Sequence, residues 1–72
     1  MDLVELKEKS RVGREDAAAR LRSLADELAS GNDFVMERDG LRFMARVPDE
    51  VDLKIEFELE DDGAELEIEL TW

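Results

Sequence analysis

The fold is decided by residues 51–72, VDLKIEFELEDDGAELEIELTW. Val51, Leu53, Ile55, Phe57 and Leu59 alternate with Asp52, Lys54, Glu56, Glu58 and Glu60. After Asp61-Asp62-Gly63 the alternation resumes, with Ala64, Leu66, Ile68, Leu70 and Trp72 set against Glu65, Glu67, Glu69 and Thr71. Successive side chains of a strand point to opposite faces, so this period of two describes strands with one apolar and one charged face. Two such runs around an Asp-Gly step predict an antiparallel hairpin. A turn at Asp62-Gly63 pairs Leu59 with Leu66, Phe57 with Ile68, Ile55 with Leu70 and Leu53 with Trp72. It also sets Glu60 opposite Glu65, Glu58 opposite Glu67 and Glu56 opposite Glu69. Directly opposed like charges cost about 0.2–1 kcal/mol each, so three pairs remove about 1–3 kcal/mol. At ~1 M salt the Debye length falls to about 3 Å and screens most of this. The hairpin is therefore expected to need salt.

Upstream, residues 34–47 hold a second hairpin signal. Asp39-Gly40 sits between two short alternating runs. A two-residue turn pairs Phe34 with Ala45, Val35 with Met44, Met36 with Phe43, Glu37 with Arg42 and Arg38 with Leu41. Phe34, Met36, Leu41, Phe43 and Ala45 then share the better core face. Val35, Glu37, Arg42, Met44 and Arg46 share the other. Pro48 lacks an N–H and marks the connection to the long hairpin. Residues 14–30 read as a helix, with Ala17, Leu21, Leu24, Ala25 and Leu28 on one stripe. Glu15 and Asp16 suit its first turn, and Gly31-Asn32 stops it. The alternation around Val4 and Leu6 suggests a first strand over residues 3–9. The expected fold is α+β, in the order β-α-β-β-β-β. It has one mostly antiparallel sheet of about five strands, and one helix packs on its apolar face. No linker or repeat divides it, so residues 1–72 are read as a single domain.

The composition narrows the function. The chain has 72 residues, 21 acidic and 10 basic, with a net charge of −11. Residues 1–46 hold ten acids and nine bases, whereas residues 47–72 hold eleven acids and only Lys54. There is no Cys, hence no disulfide, thiolate nucleophile or zinc ribbon. There is no His, hence no imidazole base and no ordinary transition-metal site. No apolar run is long enough to span a membrane, and no signal peptide is expected. Periodic apolar residues, 43% of the chain, argue against the disorder that so high a charge otherwise signals. Acid excess with few Lys fits a salt-rich cytoplasm. It also repels nucleic acid and anionic membranes.

Three features taken together carry a family resemblance. They are the helix sequence EDAAARLRSLADELASG at residues 15–31, the stretch Val47-Pro48-Asp49-Glu50-Val51, and the ending Glu67-Ile68-Glu69-Leu70-Thr71-Trp72. The chain resembles the amphi-Trp domain, a small prokaryotic domain common in haloarchaea. The resemblance spans essentially the full length. It implies the fold and the halophilic archaeal setting, and it implies no catalytic residue. Val12-Gly13 departs from the Ser or Thr cap expected at the helix start.

Glu56, Glu58, Glu67 and Glu69 would lie on one flat face. A flat ladder holds hard cations diffusely rather than at a site, and Asp61-Asp62-Gly63 is too short for an EF-hand loop. Without His, Cys or Tyr, and with little cleft to raise a carboxyl pKa, nucleophile-and-base chemistry lacks its parts. No enzyme activity, cofactor, metal or small-molecule substrate is expected. Arg42 and Arg46 flank Met44 on the outer face of their strand, with Val35 opposite Met44. Trp72, the single Trp, reads either as a cap on the apolar face or as an interface anchor. Val35, Arg42, Met44, Arg46 and Trp72 are thus the candidate interaction face. The expected role is protein–protein interaction or homodimerisation of a cytoplasmic halophilic domain. The alternative is a nucleic-acid-associated accessory protein that uses the arginines on phosphate.

Overall fold

The computed structural model describes residues 5–31 and 33–72. Its elements are α1 (Arg14–Ala29), β1 (Phe34–Arg38), β2 (Leu41–Ala45), β3 (Asp52–Glu60) and β4 (Gly63–Thr71). The α+β class is as expected, but the assembly of the strands is not.

Helix α1 starts at Gly13, whose extended backbone (φ −66°, ψ 155°) acts as the N-cap with no side-chain hydrogen bond. The Gly13 carbonyl accepts the Ala17 N–H at 3.0 Å. Glu15 and Asp16 lie in the first turn, where carboxylates favour the positive end of the helix dipole. At the other end the Ser30 N–H donates to Asp26 O at 3.1 Å, and Ser30 Oγ donates to Glu27 O at 2.7 Å. Gly31 then takes a left-handed φ of 74° and donates to Leu28 O. These bonds satisfy carbonyls that a helix end otherwise leaves open.

β1 and β2 pair antiparallel in the predicted register, Phe34 with Ala45 through Arg38 with Leu41. The turn has positive φ at both central residues, 52° at Asp39 and 79° at Gly40, which matches the twist of a two-residue hairpin. A Cβ at Gly40 would meet nothing within 4 Å, so backbone strain alone opposes a side chain there. Gly40→Ala is expected to lower unfolding stability by about 1 kcal/mol in urea denaturation. A variant as stable as its parent would contradict this turn.

β3 and β4 form the long hairpin, and here the register differs from the expected one. The two turn residues are Asp61 and Asp62, and Gly63 opens β4 opposite Glu60. Leu59 therefore faces Ala64, Phe57 faces Leu66, Ile55 faces Ile68 and Leu53 faces Leu70. The slip is two residues, so every side chain keeps its face. What changes is the charge pairing. Three opposed Glu pairs become two, Glu58 with Glu65 and Glu56 with Glu67, and Lys54 now faces Glu69. One repulsive pair is thus exchanged for an attractive one, which accounts for the direction of the slip.

The single five-stranded sheet is also corrected. The strands form two separate two-stranded sheets, β1-β2 and β3-β4. Pro48 lies between β2 and β3 and has no N–H to offer a ladder joining them. Residues 5–9 of the expected first strand make no ladder, while Leu3 and Val4 lie outside the described residues. An ion pair within the chain ties that segment to the helix instead. Arg20 donates from Nε to Glu8 Oε1 at 3.3 Å and from a terminal guanidinium nitrogen to Glu8 Oε2 at 3.1 Å. Helix α1 packs against β1, and the β3-β4 hairpin packs against neither the helix nor the first hairpin.

Among the described residues no side chain is buried. Leu24 and Leu28 of the helix and Phe34, Met36 and Ala45 of the first hairpin reach only half-burial. The accessible surface is 6948 Å², against about 4,600 Å² for a compact monomer of this mass. The radius of gyration is 14.1 Å, against about 11 Å for a compact chain of this length.

Candidate functional site

The first sheet presents part of the expected interaction face. Val35 and Met44 are directly paired across β1 and β2. Together with Arg46 they line an open cleft completed by Gly31, Asp33, Val47, Pro48 and Asp49. Val35 is half-buried there, while Met44 and Arg46 are exposed. Arg42 stands two residues before Met44 on the same strand face and does not line the cleft. Among the described residues neither Arg42 nor Arg46 forms an ion pair. Their guanidinium groups are therefore open to a phosphate or carboxylate from outside.

Trp72 is not brought to that face. It follows β4, on the hairpin that makes no contact with β1 and β2. Its position in the alternation puts it with Leu53, Ile55, Phe57, Leu59, Leu66 and Ile68, all of them exposed. The apolar runs of the hairpin thus end on an aromatic residue with more than half its surface in water. A family model of the Amphi-Trp domain matches residues 1–72. The chain belongs to the Amphi-Trp domain family. No curated protein and no solved structure matches it.

The Amphi-Trp hairpin has two chemically opposite sides. One carries the exposed apolar row just described. The other carries Glu56, Glu58, Glu65, Glu67 and Glu69, with Lys54 among them. Lys54 Nζ lies 2.9 Å from Glu56 Oε2. That hydrogen bond, and then the charges of Glu67 and Glu69, hold the ammonium above its ordinary pKa. The cation therefore stabilises the fold fully below its unfolded pKa, and its contribution is lost as pH rises through the raised value. Among the described residues no three carboxylates converge as metal ligands. No helix is long and apolar enough to cross a membrane.

The second ion pair of this Amphi-Trp domain, Glu8–Arg20, encloses a shallow cleft with Val12, Ala17 and Leu21. Arg20 holds the Glu8 carboxyl below the usual carboxylate range, first by hydrogen bonding and then by its charge. A depressed pKa means that the contribution is present above the unfolded value and lost as pH falls through the folded one. Acidification below the usual carboxylate range is expected to release residues 5–10 from the helix, read as lower backbone NMR order parameters there. Glu8→Gln is expected to lower them in the same way at neutral pH. Unchanged order parameters in that variant would remove the ion pair as the cause.

Sequence reasoning missed the exposed apolar side of β3-β4 as a surface. The alternation located its residues, but an apolar face is read as core by default. Only the absence of a covering element turns it into a surface.

Proposed function

We propose that this Amphi-Trp domain is a non-enzymatic module that works by protein–protein association. One observation carries the reading. The chain leaves about 2,300 Å² more surface in water than a compact monomer of its mass does. Monomeric soluble proteins rarely expose contiguous apolar patches beyond a few hundred Å², and larger ones mark interaction sites. The cleft of Val35, Met44 and Arg46 adds an apolar spot rimmed by a cation, a composition favoured at interfaces. The acidic excess and the opposed glutamates support a halophilic, cytoplasmic archaeal setting.

The test is light scattering of the full chain in molar KCl, together with binding of an apolar-surface dye. Association is expected to show as a mass above 8.3 kDa. A monomer that binds the dye keeps its surface for another protein and agrees with the reading. A monomer that binds no dye has covered its apolar faces internally, which would sink it.

The arginines support a second reading, that of a nucleic-acid accessory protein. Arg42 and Arg46 are exposed and unpaired among the described residues, as phosphate contacts require. If they bind phosphate, Arg42→Glu/Arg46→Glu is expected to abolish binding to labelled DNA or RNA and to remove its salt dependence. Binding that survives both reversals would exclude this face.

A further inference from the structure

We infer that the apolar side of the β3-β4 hairpin is covered by the same side of a second copy of this chain, stacked face to face and antiparallel. The inference rests on the association reading and names its partner and surface. Three observations lead to it.

The first concerns supply within the chain. Among the described residues the other apolar surfaces are the helix stripe and the first hairpin's Phe34–Met36 face, and these lie against each other, with Leu24, Leu28, Phe34 and Met36 half-buried. Leu21 is the large helix residue left over, at 49% exposure. It cannot cover a face nine residues long. A two-stranded hairpin with neither a third strand nor a helix on it is marginal by itself.

The second is area. Seven large side chains on this side are 45–75% exposed. At about 100 Å² for an aliphatic side chain and about 200 Å² for an aromatic one, they offer on the order of 600 Å² per copy. A pair then buries about 1,200 Å², the lower bound for a stable specific interface.

The third is charge, which selects the mode of contact. Pairing edge to edge would bring the glutamate rows of two copies side by side at about 4.8 Å spacing. Stacking the apolar faces sends both rows outward, separated by more than the ~10 Å between stacked sheets, beyond the ~8 Å Debye length at physiological salt. A second copy is also matched in length and equally free of charge on that side, and a two-fold axis makes such a patch self-complementary. The direction of stacking follows from side-chain size. The face is bulky at the Trp72 end and shallow at the turn end, where Leu59 faces Ala64. The antiparallel arrangement lays each Trp72 over the partner's Ala64, whereas a parallel one stacks the two bulky Trp72 ends together and the two shallow turn ends together.

The experiment uses the full chain in molar KCl. Light scattering is expected to give twice the 8.3 kDa chain mass. Phe57→Asp is expected to give a monomer, and Arg42→Glu/Met44→Glu to leave the dimer intact. Because Phe57→Asp can fail to fold, a second measurement uses the absence of natural cysteine. Ala64→Cys and Trp72→Cys are prepared separately, mixed and oxidised. The mixed disulfide is expected to outrun both homodisulfides by at least tenfold. Dominant homodisulfides overturn the antiparallel stack. A dimer broken by Arg42→Glu/Met44→Glu and kept by Phe57→Asp overturns this surface while leaving association standing. A monomer that binds the apolar-surface dye overturns the second copy as partner, again leaving the association reading intact. A monomer that binds none overturns both.

Discussion

A hundredfold rise in protein concentration is expected to raise the thermal midpoint of this domain by about 6–12 °C. No side chain is buried among the described residues, and in the proposed dimer the contact between copies supplies the apolar burial that stabilises the domain. When folding and pairing are linked, the folded dimer gains about 1.4 kcal/mol for every tenfold in concentration, or about 0.7 kcal/mol per chain. A domain of 60–100 residues shifts its midpoint by about 4–8 °C per kcal/mol. Calorimetry over two decades of concentration in molar KCl reads the effect. Trp72 gives a parallel signal, because it is the only Trp and there is no Tyr. Its emission is expected to move to shorter wavelength on association, since more than half of its surface is now in water. A midpoint that ignores concentration would mean that each chain completes its fold alone.

The second large effect is that of salt. Moving the protein from dilute buffer to molar KCl is expected to raise its midpoint by about 2–16 °C. Glu58 opposes Glu65 and Glu56 opposes Glu67 on the outer side of the hairpin. Two such pairs cost about 0.4–2 kcal/mol unscreened, which converts to that range at 4–8 °C per kcal/mol. At ~1 M the Debye length of about 3 Å is shorter than the spacing between neighbouring strands. The effect can be located by charge reversal. Glu67→Lys turns the Glu56 pair attractive and is expected to raise the low-salt midpoint. Lys54→Glu creates a third repulsive pair with Glu69 and is expected to lower it. Both differences are expected to shrink in molar KCl. Reversals whose effects persist unchanged in high salt would assign the shift to something other than these rows.

Much of the local structure could be read directly from the residues. Asp39-Gly40 specified its turn and its full register, because both central residues need positive φ and few residue types allow it. The helix needed only its stripe and the Gly31 stop. The turn of the long hairpin was harder. Asp61-Asp62-Gly63 accommodates either register, and a two-residue slip preserves the period of two that the sequence displays. Charge pairing across the strands distinguished them, and that is a relation between residues as far apart as Lys54 and Glu69. The candidate face was legible only in part. Val35 and Met44 followed from the short hairpin's register, and Arg46 joined them from the segment that leads from β2 to Pro48. Trp72 was grouped with them although it follows the last strand of the other sheet.

The sequence by itself determined helix α1 and the strands of the two hairpins, which face of each strand is apolar, and that nearly all of the excess charge, −10 of −11, lies in residues 47–72. These are local properties, set by backbone sterics and by a period of two or 3.6. Tertiary structure decided whether the two hairpins share a sheet and whether anything covers the apolar side of β3-β4. Both depend on contacts between distant segments, and alternation describes only the segment that carries it. The same row of Leu, Ile, Phe and Trp is a core under a helix and an interface without one. Among the described residues nothing covers it.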